Sequence, residues 1–128
     1  MQSKDVRFVV ADDSRPYSHA SIAGPWIFTK GTAGFHPGTG EISLDIGEQT
    51  AQCMKNLADI LKECGASFAD VVKVNVYLVN VKEDYDAVNA VYLKAMGGHK
   101  PARCCIGVPS LPSVNENMKI EMIAYKPD

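Results

Sequence analysis

The segment Pro101-Ala102-Arg103-Cys104-Cys105 sets an arginine among small apolar residues at the start of a strand-like run. In a strand, Arg103 and Cys105 share one face while Ala102, Cys104 and Ile106 share the other. The second face is apolar and is expected to belong to the core, which brings the arginine close to buried surface. A guanidinium held there wants an anion, ideally a carboxylate that accepts two parallel hydrogen bonds. That anion is either one of the fifteen acidic side chains of the protein or a ligand. Cys105 has no base beside it in sequence that would make it a nucleophile, and reads as a small core or interface residue.

Other chemistries lack their residues. There is no GxGxxG, P-loop, GxSxG or HExxH pattern, and His19, His36 and His99 have no metal-ligand spacing. The cysteines at 53, 64, 104 and 105 form no CxxC pair. Neighbouring side chains 104 and 105 diverge in a strand, so they suit neither one tetrahedral ion nor one disulfide, and reduced thiols are expected. Metal chemistry is not supported. Thirteen basic against fifteen acidic residues give a formal charge of −2, which speaks against a nucleic-acid-coating or polybasic membrane-surface protein. The longest apolar runs, such as Phe8 to Ala11, are too short for a transmembrane helix or a signal peptide, so a cytoplasmic protein is expected.

The elements that position these residues follow from periodicity. With 46% hydrophobic and 22% charged residues, the chain is expected to fold as one soluble domain over residues 1–128. Strands are predicted at Val6 to Val10, Ser18 to Ile22 and Trp26 to Thr29, the last two joined by a Gly24-Pro25 turn. The polar interval Asp12 to Tyr17 separates the first two. A glycine-rich loop, Gly31 to Glu41, follows. Cys53, Met54, Leu57, Ile60, Leu61 and Cys64 form the stripe of an amphipathic helix from Gly47 to Cys64, which Gly65 stops. Val72, Val74, Val76 and Leu78 then line the buried face of a strand. A second helix carries Tyr85, Val88, Tyr92 and Met96 on one side and ends at Gly97-Gly98. Strands Ala102 to Val108 and Met118 to Tyr125 close the chain around the loop Pro109 to Asn117. This order predicts an α+β two-layer sandwich, a mixed sheet with both helices on one face. The opposite face is left uncovered, and burial in an oligomer is expected.

The fragments together resemble the Rid family, also called YjgF/YER057c/UK114, of reactive-intermediate deaminases. The resemblance runs through Arg15-Pro16-Tyr17-Ser18, Ile27-Phe28-Thr29-Lys30-Gly31 and His36-Pro37-Gly38-Thr39-Gly40-Glu41. It continues through the Gln49 to Gly65 helix, Asp70-Val71-Val72-Lys73 and Tyr85-Asp86-Ala87-Val88-Asn89. It ends with Pro101-Ala102-Arg103, Leu111-Pro112 and Ile120-Glu121-Met122-Ile123-Ala124. Each fragment is weak alone; their order and spacing make the match specific.

The resemblance implies chorismate-mutase-like subunits that form a homotrimer around a central barrel, with ligand clefts between subunits. It implies a cofactor-free hydrolase that converts enamines and imines of the 2-aminoacrylate type to 2-keto acids and ammonia. Arg103 would grip the substrate carboxylate. Tyr17, Lys30, Gly31, Tyr85, Asn89 and Cys105 fall on ligand-binding positions, with Gly31 allowing close approach to its amide. Two positions depart from the family. Lys30 stands where serine is frequent, and Lys119 stands where deaminases carry a water-orienting glutamate. An alignment shifted by two would put Glu121 there instead; the unshifted one is preferred and makes Lys119 a proton carrier. Two other readings compete: a non-catalytic trimer that binds small carboxylates, and, least favoured given the charge and the lack of paired histidines, an endoribonuclease.

Overall fold

The computed structural model describes residues 5–10 and 14–127; Asp12 and Asp13, the start of the predicted polar interval, lie outside them. Its elements are β1 (Val6–Val9), β2 (Ala20–Ala23), β3 (Trp26–Thr29), α1 (Ile46–Glu63), β4 (Val71–Leu78), α2 (Val81–Met96), β5 (Ala102–Gly107) and β6 (Met118–Tyr125). A 3-10 turn, Phe68–Asp70, leads into β4. The strands form one sheet in the order β1-β2-β3-β6-β4-β5. Every neighbouring pair is antiparallel except β4 and β5, which α2 connects in parallel. The expected α+β architecture with a mixed sheet and two helices is therefore present.

Period-two burial explains the layering. Ile22, Ile27, Val74, Val76, Leu78, Met118, Ile120, Met122 and Ala124 are buried on one sheet face. They share a core with Cys53, Met54, Leu57, Ile60 and Leu61 of α1 and with Val88, Tyr92 and Met96 of α2. The side chain of Asp45 caps α1 by accepting the Glu48 N–H at 2.9 Å. Asp45→Ala is expected to cost about 1 kcal/mol, read as a lowered urea midpoint with an unchanged slope. At the other end Gly65 adopts φ +77°, which suits glycine best.

Four sequence expectations are corrected. A bulge between Val71 and Lys73 puts Val71 in the core and leaves Val72 44% exposed. Tyr85, placed on the core side of α2, is 41% exposed, because it lies toward the first turn, beside the sheet edge. Strand β2 begins at Ala20 rather than Ser18. Most consequentially, the faces of β5 are reversed. Register with β4 pairs Arg103 with Val74, Cys105 with Val76 and Gly107 with Leu78, so these residues face the helices. Ala102, Cys104 and Ile106 share the open face and are exposed, so Cys104 is not a core residue. The helix side is available to an arginine because β5 is the sheet edge, beyond the main core.

The open face carries large apolar side chains beside its polar ones. Phe8, Trp26, Phe28, Ile106 and Tyr125 stand there two-fifths to one-half exposed. The rings of Trp26 and Tyr125 pack edge-on at 4.8 Å.

Candidate functional site

The parallel β4–α2–β5 connection brings one stripe of α2 over the edge strand. Tyr85, Asn89 and Tyr92 follow at helical spacing and all meet Arg103. The Arg103 guanidinium donates to Asn89 Oδ1 at 2.6 Å and, more weakly, to the Tyr85 hydroxyl at 3.4 Å. Its Cζ lies 4.8 Å from the Tyr92 ring centre and 5.8 Å from that of Tyr85. All these partners are neutral. Among the described residues no carboxylate pairs with Arg103. The intramolecular ion pair considered from sequence is thus not formed among the described residues. The guanidinium is oriented by amide and aromatic groups with its charge available, beside a recess of about 210 Å³ lined by Asn89, Tyr92, Leu93, Lys100, Pro101 and Arg103.

Cys105 lies beside this group, and burial pushes its thiol up from the ordinary range while Arg103 pulls the other way. The net direction opposes thiolate formation, which agrees with a packing role. Tyr92, on the predicted core stripe of α2, also faces Arg103. Its spacing of seven from Tyr85 was the available sign that it shares the Arg103 face.

A second cluster forms after β3. Pairing of Phe28 with Ile123 and bridging of Thr32 to Ile120 set four steps against three, so the backbone bulges through Lys30 and Gly31. Lys30 Nζ lies 5.3 Å from the ring centre of the exposed Tyr17. Burial first, then the charges of Arg15 and Lys119, hold the Lys30 ammonium below its usual pKa. The Lys119 chain runs across Gly31 so closely that a Cβ there would stand 2.8 Å from Lys119 Cδ. Lys119 Nζ is 3.1 Å from Glu116 Oε2, and the other Glu116 oxygen accepts the Ser113 N–H at 3.1 Å. Glu116 is buried; no periodic signal marked it in the Pro109 to Asn117 loop.

Helix α1 fixes both loops through residues 49, 53 and 56, one polar-edged stripe. Cys53 donates to the Thr32 carbonyl at 3.0 Å, and Asn56 donates to the Ala33 and Phe35 carbonyls at 3.0 and 2.8 Å. The fully buried Gln49 donates to the Ser43 and Asn115 carbonyls and accepts the Asn117 N–H at 2.8 Å. Burial pushes the Cys53 thiol well up, as suits a structural donor.

Within one chain these two clusters are not joined. Arg103 leaves the helix face of the sheet, whereas Lys119, beside buried Met118 and Ile120, leaves the open face. Glu121 joins neither. It accepts from the Tyr77 hydroxyl at 2.7 Å and from Asn75 Nδ2 at 3.2 Å on the open face, and this bond raises the Tyr77 pKa. Among the described residues no group of three or more His, Cys, Asp or Glu side chains could hold a metal ion, and no helix is long and apolar enough to cross a membrane.

Fold and site together define a class: a two-layer domain with an anion-ready arginine at its sheet edge and a sheet face without cover. The chain belongs to the Rid family. The family model described as Endoribonuclease L-PSP matches residues 10–126. A RutC family protein of Pyrococcus abyssi is 45% identical over 112 residues, 87% of each chain. The human 2-iminobutanoate/2-iminopropanoate deaminase is 34% identical over 112 residues, 87% of this chain and 80% of that one. The crystal structure of RidA from an Antarctic Psychrobacter is similar with a TM-score of 0.83 at 30% identity, covering 96% of this chain and 99% of that one.

Proposed function

We propose that this protein hydrolyses 2-imino acids, and the enamines in equilibrium with them, to 2-keto acids and ammonia. The observation that carries this reading is Arg103, aligned by neutral partners and without a carboxylate partner among the described residues. The names of the human relative and of a chloroplastic relative in Arabidopsis thaliana, Reactive Intermediate Deaminase A, support it. In this reading the protein is a cytoplasmic homotrimer. The apolar side chains of the open faces pack together, and each cleft joins the Arg103 cluster of one subunit to the Tyr17, Lys30, Gly31 and Lys119 cluster of its neighbour.

The chemistry then needs few groups. Arg103 takes the substrate carboxylate in two parallel hydrogen bonds, while Asn89 and Tyr85 keep its plane oriented. Tyr17 closes the cleft mouth, and Cys105 contributes mainly backbone. Water adds its oxygen to the imine carbon; the Gly31 amide stabilises the polar tetrahedral centre. The Lys119 ammonium, steadied by Glu116, gives a proton to nitrogen. Lys119 recovers a proton from the added water and then relays the remaining hydroxyl proton to nitrogen, so that the carbon–nitrogen bond breaks, ammonia leaves and the keto group forms. No electrons are exchanged, so the reaction asks for no cofactor. Glu121 stays outside this step.

The test supplies purified protein with imines generated in place by an amino-acid oxidase and follows keto-acid release. Release faster than spontaneous hydrolysis, in proportion to protein, is expected. A second reading, carboxylate binding without turnover, is favoured by the engagement of Glu121 with Tyr77 and Asn75, away from Arg103. Keto-acid binding with no acceleration would establish it instead.

A further inference from the structure

The second cluster holds a half-buried cation, Lys30, that gripping the first carboxylate does not use. Lys30 is half-buried, packed against Tyr17, and has Arg15 and Lys119 as its charged neighbours. Among the described residues no carboxylate lies within ion-pair distance of Lys30. The nearby acid, Glu116, is already engaged by Lys119 and by the Ser113 amide. The bulge fixes the backbone at this point. Thr29 accepts the Met122 N–H at 3.0 Å and the Lys30 N–H donates to the His19 carbonyl at 2.8 Å, so the lysine cannot easily swing away from its neighbours at the backbone. Lys30 is thus a half-buried ammonium with no carboxylate partner among the described residues, and an anion placed on it offsets the solvation that burial removes.

We infer that Lys30, with Lys119 beside it, is a subsite for a second anionic group on the substrate, and that the preferred substrates are 2-iminodicarboxylates of four or five carbons. This rests on the deaminase reading and its shared cleft: Arg103 holds the carboxylate next to the imine carbon, and Lys30 holds the side-chain carboxylate from across the subunit boundary. Arg103 is thereby the common grip and Lys30 the selector.

The experiment measures kcat/KM for two imines made in place: 2-iminosuccinate, from aspartate and an aspartate oxidase, and 2-iminobutanoate, from 2-aminobutanoate and an amino-acid oxidase. The wild type is expected to favour the dicarboxylate by at least tenfold at low ionic strength, with the ratio shrinking in 0.5 M salt. Lys30→Met is expected to lower that ratio at least tenfold, and Lys30→Arg to restore most of it. Turnover of 2-iminobutanoate without any preference for 2-iminosuccinate would overturn the inference and leave the deaminase reading standing. So would a preference that Lys30→Met does not change. Turnover of neither imine would overturn both.

Discussion

Arg103→Ala is expected to lower kcat/KM for imine hydrolysis by roughly 10²–10³-fold, the loss of a charge-assisted grip of about 3–4 kcal/mol. The loss should appear in KM as well as kcat, because the same contact binds the ground state and aligns the carbon for attack. Arg103→Lys should recover only part of it. An ammonium is a point charge and cannot offer a carboxylate two parallel donors, and it stacks less well on Tyr92. Neither change should unfold the protein, since Arg103 sits on an edge strand with polar partners outside the main core. Steady-state rates with urea denaturation on the same samples separate the two effects. Near-wild-type kinetics in Arg103→Ala would remove the arginine from the reaction.

Gly34→Ala is expected to be the most damaging single methyl in the chain. A Cβ on the buried Gly34 would run into the Gln49 carbonyl oxygen and stand 2.9 Å from Gln49 Cγ. Both are held, the first by the helix and the second by the three backbone bonds of its amide. Either α1 moves off the sheet or the loop from Gly31 to Phe35 lifts from α1 and breaks the Cys53 and Asn56 bonds. The expected cost is about 3 kcal/mol or more, at the upper end for overpacking. Thermal and urea unfolding check it; a midpoint within error of wild type would mean that the loop has slack the structure does not suggest.

Helix α1, strands β3 and β6, and the uncovered sheet face could be read from periodicity, because local pattern and burial agree there. The stripe from Cys53 to Leu61 is buried as its spacing predicts. Strand β5 shows where periodicity fails. Alternation separated Arg103 and Cys105 from Cys104 and Ile106 correctly, yet it assigned the wrong set to the helix side. Which set faces the helices depends on register with β4, a tertiary fact that no local pattern contains. The bulge at Val71 misled for the same reason, since one extra residue inverts the alternation before it.

The site divides similarly. Arg103 stood out as a charge among core-like residues, and Tyr85 and Asn89 lie on the helix that covers it. Lys119 and Glu121 are two residues apart on one strand face, so sequence spacing alone did not separate them. The structure does, by giving Lys119 to Glu116 and Glu121 to Tyr77. Glu116 escaped notice because it lies in an irregular loop, where its burial depends on the Gln49 bonds to residues 115 and 117.

In the proposed function each working cleft takes Arg103 from one subunit and the Gly31 side from the next. It is tested most directly by mixing two inactive variants. Arg103→Ala removes the grip; Gly31→Leu blocks approach to the Gly31 amide and displaces Lys119. Co-refolded in equal amounts into random trimers, the pair should regain about one quarter of wild-type imine hydrolysis, because a cyclic interface then joins two intact halves with that frequency. Mixed trimers as inactive as either parent, at unchanged oligomeric mass, would contradict a cleft shared between subunits.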